Sequence, residues 1–267
     1  MLTSLACFRR LARCARALSR SIFLVMSIDA TQLDTLGPGL HCFEGQVSLD
    51  ALGLVVFPVR STVVELDGGG VLVIAPVGAD EAVLKAVTAL GPVRYVVSPN
   101  LFHHLYLNRW ASRFPEAEVL VPPGLHKKRP RLPASFNCWD EGLPPEVGAS
   151  VESLSISGIP RLNEIVFFHR RSSTLILTDL AFNIRAPRGL LTNIVLRAVG
   201  GYERCATSKL IKMVTQDKDA LARSAKPIFD WPFERIVLGH GKIIDVDARN
   251  TLAEALSWVL GDTAGPG

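Results

Sequence analysis

The run from residue 71 to residue 97 constrains the fold most. A continuous apolar segment (VLVIA, residues 71–75) leads to ten residues with apolar side chains at helical spacing (EAVLKAVTAL, residues 81–90). Gly91-Pro92 then stops the helix, and a β-branched strand follows (VRYVV, residues 93–97). A strand with no polar face must be covered on both sides, which calls for a layered α/β protein.

The rest of the body agrees. An apolar run (LGLVVFPV, residues 52–59) precedes a β-branched one (STVVEL, residues 61–66), and Asp67-Gly68-Gly69-Gly70 turns the chain into residues 71–75 as a hairpin. A helix is expected from His104 to Phe114 and a strand at residues 119–121. Residues 122–148, rich in proline and glycine, read as a long loop with a basic cluster of His126, Lys127, Lys128, Arg129 and Arg131. Strand patterning resumes at residues 151–156, and EIVFF (164–168) and TLILT (174–178) form a second hairpin. A helical region spans about 190–224, then a short strand at 236–238 and a last helix at 247–260. Helices interleaved with strands and early hairpins imply a mixed sheet.

Charge and composition narrow the function. Charged residues are 20% and hydrophobic residues 48% of the chain, values of an ordinary globular protein. The formal charge of +4 comes from residues 1–27, which hold Arg9, Arg10, Arg13, Arg16 and Arg20 and no acid; without them 24 basic side chains face 25 acidic ones, a net of −1. The body therefore gives no electrostatic case for nucleic acid or a membrane surface as partner, and a small-molecule substrate is expected. No apolar stretch is long enough to span a bilayer. The arginine-rich leader either is an organelle presequence, giving a matrix protein, or lies outside the functional chain, with Met26 as the start and a cytoplasmic product. In both cases residues 28–267 are expected to form a single domain. Five cysteines without a C-x-x-C pair give no disulfide framework and suit a reducing compartment.

Three strands end in residues that bind metals: residues 96–104 (VVSPNLFHH), 174–179 (TLILTD) and 236–241 (IVLGHG). Loops after strand ends are where α/β sheets collect ligands. His240 sits between two glycines, which free the backbone and leave the ring accessible. His169 falls at the far end of strand 174–178, roughly 15–20 Å from Asp179 at about 3.3 Å per residue, and reads as structural.

The sequence resembles the metallo-β-lactamase superfamily over nearly all of residues 39–260, and within it the branch known as domain of unknown function 4336. The resemblance rests on Ser98-Pro-Asn-Leu-Phe-His-His-Leu105, Trp110, Phe114-Pro115, the run from Phe167 to Leu180, and Gly239-His-Gly241. It implies a four-layer αββα sandwich with the metal site at one edge of the sheets. Laid on the family's H-x-H-x-D-H motif, the first two histidines fall on Pro99 and Leu101, the aspartate on His103 and the last histidine on His104. The bridging aspartate falls on Asp179 and the late histidine on His240. The intermediate histidine has no counterpart near residues 158–164, and Ala75 stands where the family has a supporting aspartate. The resemblance thus implies one metal, held by His103, His104, Asp179 and His240, with zinc favoured over iron or manganese. Asp179 would also orient a catalytic water, and Lys127 would contact a substrate anion. The activity implied is a mononuclear metal-dependent hydrolase of an ester, thioester or lactone-type bond. The alternatives are a mononuclear non-haem metal oxidoreductase and an inactive scaffold that keeps a residual metal site.

Overall fold

The computed structural model describes residues 27–48, 54–185 and 189–261. Of the leader, residues 1–26 lie outside the described residues. The elements in order are strands β1 (Ser27–Ile28), β2 (Asp34–Gly37), β3 (Leu40–Ser48), β4 (Val56–Glu65) and β5 (Val71–Ile74), helix α1 (Glu81–Leu90), strand β6 (Val93–Val97), helix α2 (Leu107–Arg113), strand β7 (Glu118–Val121), helix α3 (Leu125–Lys128), strand β8 (Asn137–Cys138), helix α4 (Pro145–Ser150), strands β9 (Val151–Ile156), β10 (Glu164–His169) and β11 (Thr174–Leu177), helices α5 (Leu190–Val199), α6 (Lys209–Val214) and α7 (Lys218–Ala225), strand β12 (Arg235–Leu238) and helix α8 (Ala248–Leu260).

The strands form two sheets. In the larger the order is β1-β3-β4-β5-β6-β7-β8, with β2 on β3; in the smaller it is β12-β11-β10-β9. Both are mixed: β5, β6, β7 and β8 run parallel, as do β11 and β12, while the hairpins β4–β5 and β10–β11 are antiparallel.

The period of two along each strand sorts side chains into layers. Leu72 and Ile74 of β5 face the second sheet, where they join Ile165, Phe167, Ile176 and Val237 in one buried cluster. Val71 and Val73 face outward onto Val83 and Val87 of α1 and Trp110 of α2. On the other side Val166, Phe168, Leu175, Leu177, Ile236 and Leu238 pack under Leu221 of α7 and Leu252 and Leu256 of α8. Helices, sheet, sheet and helices make the four-layer αββα sandwich that the sequence resemblance implied.

Several boundaries differ from the sequence reading. Residues 56–59 of the first apolar run and 61–65 of the second belong to one strand, β4, which continues through Pro58, while residues 52 and 53 lie outside the described residues. Pro58 is tolerated because β4 pairs with β5 only over residues 62–65, so no ladder strand on that side needs an N–H from position 58. Helix α2 starts at Leu107, not His104, because residues 101–106 are occupied by turns. The loop 122–148 contains short elements, and it is tied down: His126 Nε2 lies 2.8 Å from the Phe136 carbonyl, and Trp139 Nε1 donates to the Ser98 carbonyl at 3.0 Å. The helical region 190–224 is three helices separated by Gly200 and by Asp217, whose carboxylate caps α7. No helix among the described residues is long and apolar enough to cross a membrane.

Candidate metal centre

The loops after β6, β11 and β12 meet at one rim of the sandwich, and each delivers one side chain. Asp179 follows β11. Its Oδ2 lies 3.2 Å from His103 Nε2, and its Oδ1 lies 3.3 Å from His240 Nε2. The two imidazole rings are 5.2 Å apart and tilted by 48°. One ligand atom from each of His103, Asp179 and His240 falls within 4.8 Å of the other two, the one such group among the described residues.

Each residue is held by a local device. The loop carrying His103 is shaped by Asn100, which is fully buried. The Asn100 Oδ1 accepts the backbone N–H groups of Phe102 and His103 at 2.8 and 3.1 Å, a side chain standing in for a turn hydrogen bond. The Asn100 Nδ2 donates to Thr178 Oγ1 at 2.8 Å and to Asp179 Oδ2 at 2.7 Å. One side chain thus sets the histidine loop and aims the carboxylate.

Below Asp179 sits Glu164, only 1% exposed at the start of β10. The carboxylate of Glu164 accepts the backbone N–H groups of Thr178, Asp179 and Leu180 at 2.7, 2.9 and 3.0 Å. Burial, and then the charge of Asp179, push the Glu164 carboxyl up to about 7, against the pull of those N–H groups. Neither Asn100 nor Glu164 was singled out from the sequence. The available signals were an asparagine in a Ser-Pro-Asn turn and a lone acid opening an apolar strand.

His240 is fixed from β4. Its Nδ1 lies 2.8 Å from the Pro58 carbonyl, so this nitrogen carries the proton and Nε2 is left toward Asp179. The backbone N–H of Arg60 donates to Gly239, and the Arg60 guanidinium donates to the carbonyls of Leu238 and Gly241 and pairs with Glu44. Gly239 is required by closeness: a Cβ there would meet His103 Cε1 and Thr178 Cα at 3.2 Å.

The electrostatics follow from this packing. Burial alone would raise the Asp179 carboxyl, but the His103 and His240 imidazoles outweigh it and hold Asp179 well below the usual carboxylate range. For His240, burial pulls the imidazole down, and the hydrogen bond and charge of Asp179 more than reverse it.

The fourth candidate ligand, His104, stands apart from the other three. It is 8% exposed, and its Nε2 accepts a hydrogen bond from Arg129 Nε at 2.7 Å. Burial, Lys128 and Arg129 push this imidazole down to about 4. Lys127 is exposed on α3, whereas its neighbour Lys128 turns back to the histidine loop and donates to the Leu101 carbonyl at 2.7 Å. His169 is buried at the hairpin turn with Nδ1 2.7 Å from Ser172 Oγ, the structural placement read from strand length. His41 bridges Thr35 and Glu65. The carboxylate expected at the end of β5 is absent, since Ala75 occupies that place; Asn100 and Glu164 brace Asp179 from other elements.

The fold is shared with solved structures. The metallo-β-lactamase DIM-1 exposed to ceftazidime superposes with a TM-score of 0.60 at 13% identity, covering 87% of this chain and 99% of the other. FIM-1 from Pseudomonas aeruginosa, in its mono-zinc form, gives 0.55 at 12% identity over 90% and 98% of the two chains. The metal-soaked Flv1 flavodiiron core from Synechocystis sp. PCC6803 gives 0.59 at 11% identity over 86% and 61%. At such identities the likeness establishes the fold alone. No curated protein matches the sequence. Residues 40–196, more than half of the chain, match the family described as domain of unknown function (DUF4336), and the protein belongs to that family, on a metallo-β-lactamase-like fold.

Proposed function

We propose that the protein is a mononuclear metal-dependent hydrolase of a small molecule bearing an ester, thioester or lactone-type bond. The observation that carries the reading is the convergence of His103, Asp179 and His240. Two imidazoles and a carboxylate, with room for water, are a donor set used by hydrolytic zinc. The spacing fits as well. The His–Asp contacts of 3.2 and 3.3 Å are long for charge-assisted hydrogen bonds, which are about 2.7–2.9 Å. They go to different oxygens of Asp179, so the carboxylate faces both rings across one gap.

His103 and His240 would each offer Nε2, and Asp179 a carboxylate oxygen. A bound divalent cation lowers the pKa of its water and polarises a carbonyl oxygen. The chain supplies the positioning. The Pro58 carbonyl fixes the His240 tautomer, Asn100 aims Asp179 Oδ2, and Asp179 orients the water through its remaining acceptor capacity. Glu164 keeps the turn at residues 178–180 rigid beneath them.

One specific observation favours a second reading. With His104 engaged by Arg129, the remaining set is two histidines and one carboxylate, which also suits non-haem iron and oxidative chemistry. Metal analysis of protein purified without added zinc, together with a panel of ester, thioester and lactone substrates, tests both. The hydrolase reading expects zinc and turnover that is lost in Asp179→Ala. Iron with no hydrolytic turnover overturns it in favour of the oxidoreductase. Zinc bound with no turnover of any of these substrates leaves only the scaffold.

A further inference from the structure

We infer that the outward surface of helices α5 and α6 docks peripherally on a membrane bearing anionic lipid headgroups. This surface lies outside the metal centre, and the inference does not depend on the hydrolase reading.

Helix α5 carries apolar side chains on both of its faces. Thr192 and Leu196 are buried, and Leu196 packs with Phe182 and Ile184. On the outward face, at helical spacing, lie Leu190, Leu191 and Ile194, with Leu190 79% and Ile194 54% exposed. A surface helix of a globular protein turns charged and polar side chains to water, so this pattern is inverted. Helix α6 repeats it: Ile211 is buried, while Leu210 and Met213 are exposed, Met213 by 62%. Of the ten large apolar side chains exposed among the described residues, five fall on these two short helices, which makes a cluster and not a scatter. The helices are neighbours, since a Cβ on Gly200 at the end of α5 would stand 3.3 Å from Lys209 Cε. The outward face is also fixed. Thr192 Oγ1 accepts the Val56 backbone N–H at 3.2 Å, which ties α5 to β4 and prevents it from rolling its leucines inward.

Charge identifies the occupant. Between Asp179 and Asp217 the chain has six basic side chains and one acid, Glu203, a net of +5. The rest of residues 28–267 has 18 basic and 24 acidic side chains, a net of −6. The nearly neutral total of the body, which gives no case for a membrane by itself, therefore conceals a segregated cationic segment. Among the described residues, none of Arg185, Arg197, Arg204, Lys209 and Lys212 forms an ion pair with a carboxylate. Contacts within the segment brace two of them instead: the Arg197 guanidinium lies 3.8 Å from the centre of the Tyr202 ring, and Arg204 Nε donates to the Gly200 carbonyl at 3.0 Å. Exposed leucine, isoleucine and methionine among lysine and arginine suit the headgroup boundary, where apolar groups enter the acyl layer and cations meet anionic headgroups. The same charge disfavours two other covers. Residues 1–27 carry five arginines and no acid, and a second copy turned face to face would bring identical cations together.

The test is cosedimentation of the full-length chain with vesicles of phosphatidylcholine alone and of equal parts phosphatidylcholine and phosphatidylglycerol. Wild type is compared with Leu190→Gln/Ile194→Gln, with Arg197→Gln/Lys209→Gln and with Val246→Gln, an exposed apolar position elsewhere. Circular dichroism checks that each is folded. Wild type and Val246→Gln are expected to bind the anionic vesicles, less so at high salt, and to bind neutral vesicles more weakly. Both double variants are expected to bind the anionic vesicles about tenfold more weakly or worse, since each basic residue near such a surface is worth about fivefold. A leader variant with Arg9, Arg10, Arg13, Arg16 and Arg20 all replaced by glutamine is expected to keep binding that still falls on Leu190→Gln/Ile194→Gln. No binding of anionic vesicles by wild type, undiminished binding by folded Leu190→Gln/Ile194→Gln, or loss of all binding in the leader variant overturns the inference. Wild-type dimers in sedimentation velocity that Leu190→Gln/Ile194→Gln dissolves, with no vesicle binding, overturn it in favour of a second copy.

Discussion

Replacing Glu164 by alanine is expected to unlatch the turn beneath the metal centre and to cost about 3–5 kcal/mol, the scale of breaking a buried charged interaction. The size follows from the contacts. The Glu164 carboxylate takes three backbone N–H groups, from Thr178, Asp179 and Leu180, at 2.7–3.0 Å. A buried donor left without an acceptor costs roughly 1–3 kcal/mol. Against that, the variant removes a carboxylate that is itself buried beside Asp179, and relief of that repulsion and desolvation offsets part of the loss. In a protein of this length a kilocalorie corresponds to about 2–4 °C in Tm, so the expected fall is about 6–20 °C. Urea and thermal denaturation followed by circular dichroism measure it. Glu164→Gln keeps one carbonyl oxygen in place and should lie between wild type and Glu164→Ala. Glu81→Ala, which removes an acid of 70% side-chain exposure from α1, should stay within about 0.5 kcal/mol. A Glu164→Ala variant within about 1 kcal/mol of wild type would show that the turn is held by packing alone.

Two further outcomes follow from the same structure. Gly241 has a φ of +93°, and a Cβ there would stand 2.2 Å from the Asn183 carbonyl oxygen, so Gly241→Ala should lower stability by about 1–3 kcal/mol and shift His240; an unchanged Tm and unchanged zinc uptake would contradict this. The buried His169 imidazole is held below its ordinary value, by burial first and then by Arg171. As pH falls below about 6.5 the unfolded chain takes up a proton that the folded chain refuses, so wild-type stability should fall with it, and more steeply than in His169→Gln; parallel urea midpoints from pH 7.5 to 5.5 would contradict that.

The parts of the fold that were legible in the sequence are those where one strand determines its own environment. Residues 71–74 have no polar face, and they lie between two layers as that pattern requires. The hairpin of β10 and β11 and the final helix follow from the same kind of local signal. What the sequence hid were contacts supplied from far along the chain. Asn100 reaches Asp179 across 79 positions, and Glu164 meets a turn 14–16 residues away, so neither has a local pattern that reveals its partner. The same limit applies to His104. In the sequence it is adjacent to His103 and equally suited to binding a metal, yet Arg129, 25 positions later, takes its Nε2. The start of α2 was misplaced for a related reason, because the Asn100 turn uses the residues that a helix from His104 would need.

The central claim is that His103, Asp179 and His240 hold one metal ion. The direct measurement is metal content per chain, by plasma mass spectrometry after dialysis, for wild type, Asp179→Ala, His240→Ala and His104→Ala. The account expects about one equivalent in wild type and in His104→Ala, and loss of the metal in Asp179→Ala and His240→Ala while both remain folded. Stoichiometric metal retained in Asp179→Ala, or a wild-type protein that takes up none, would contradict it.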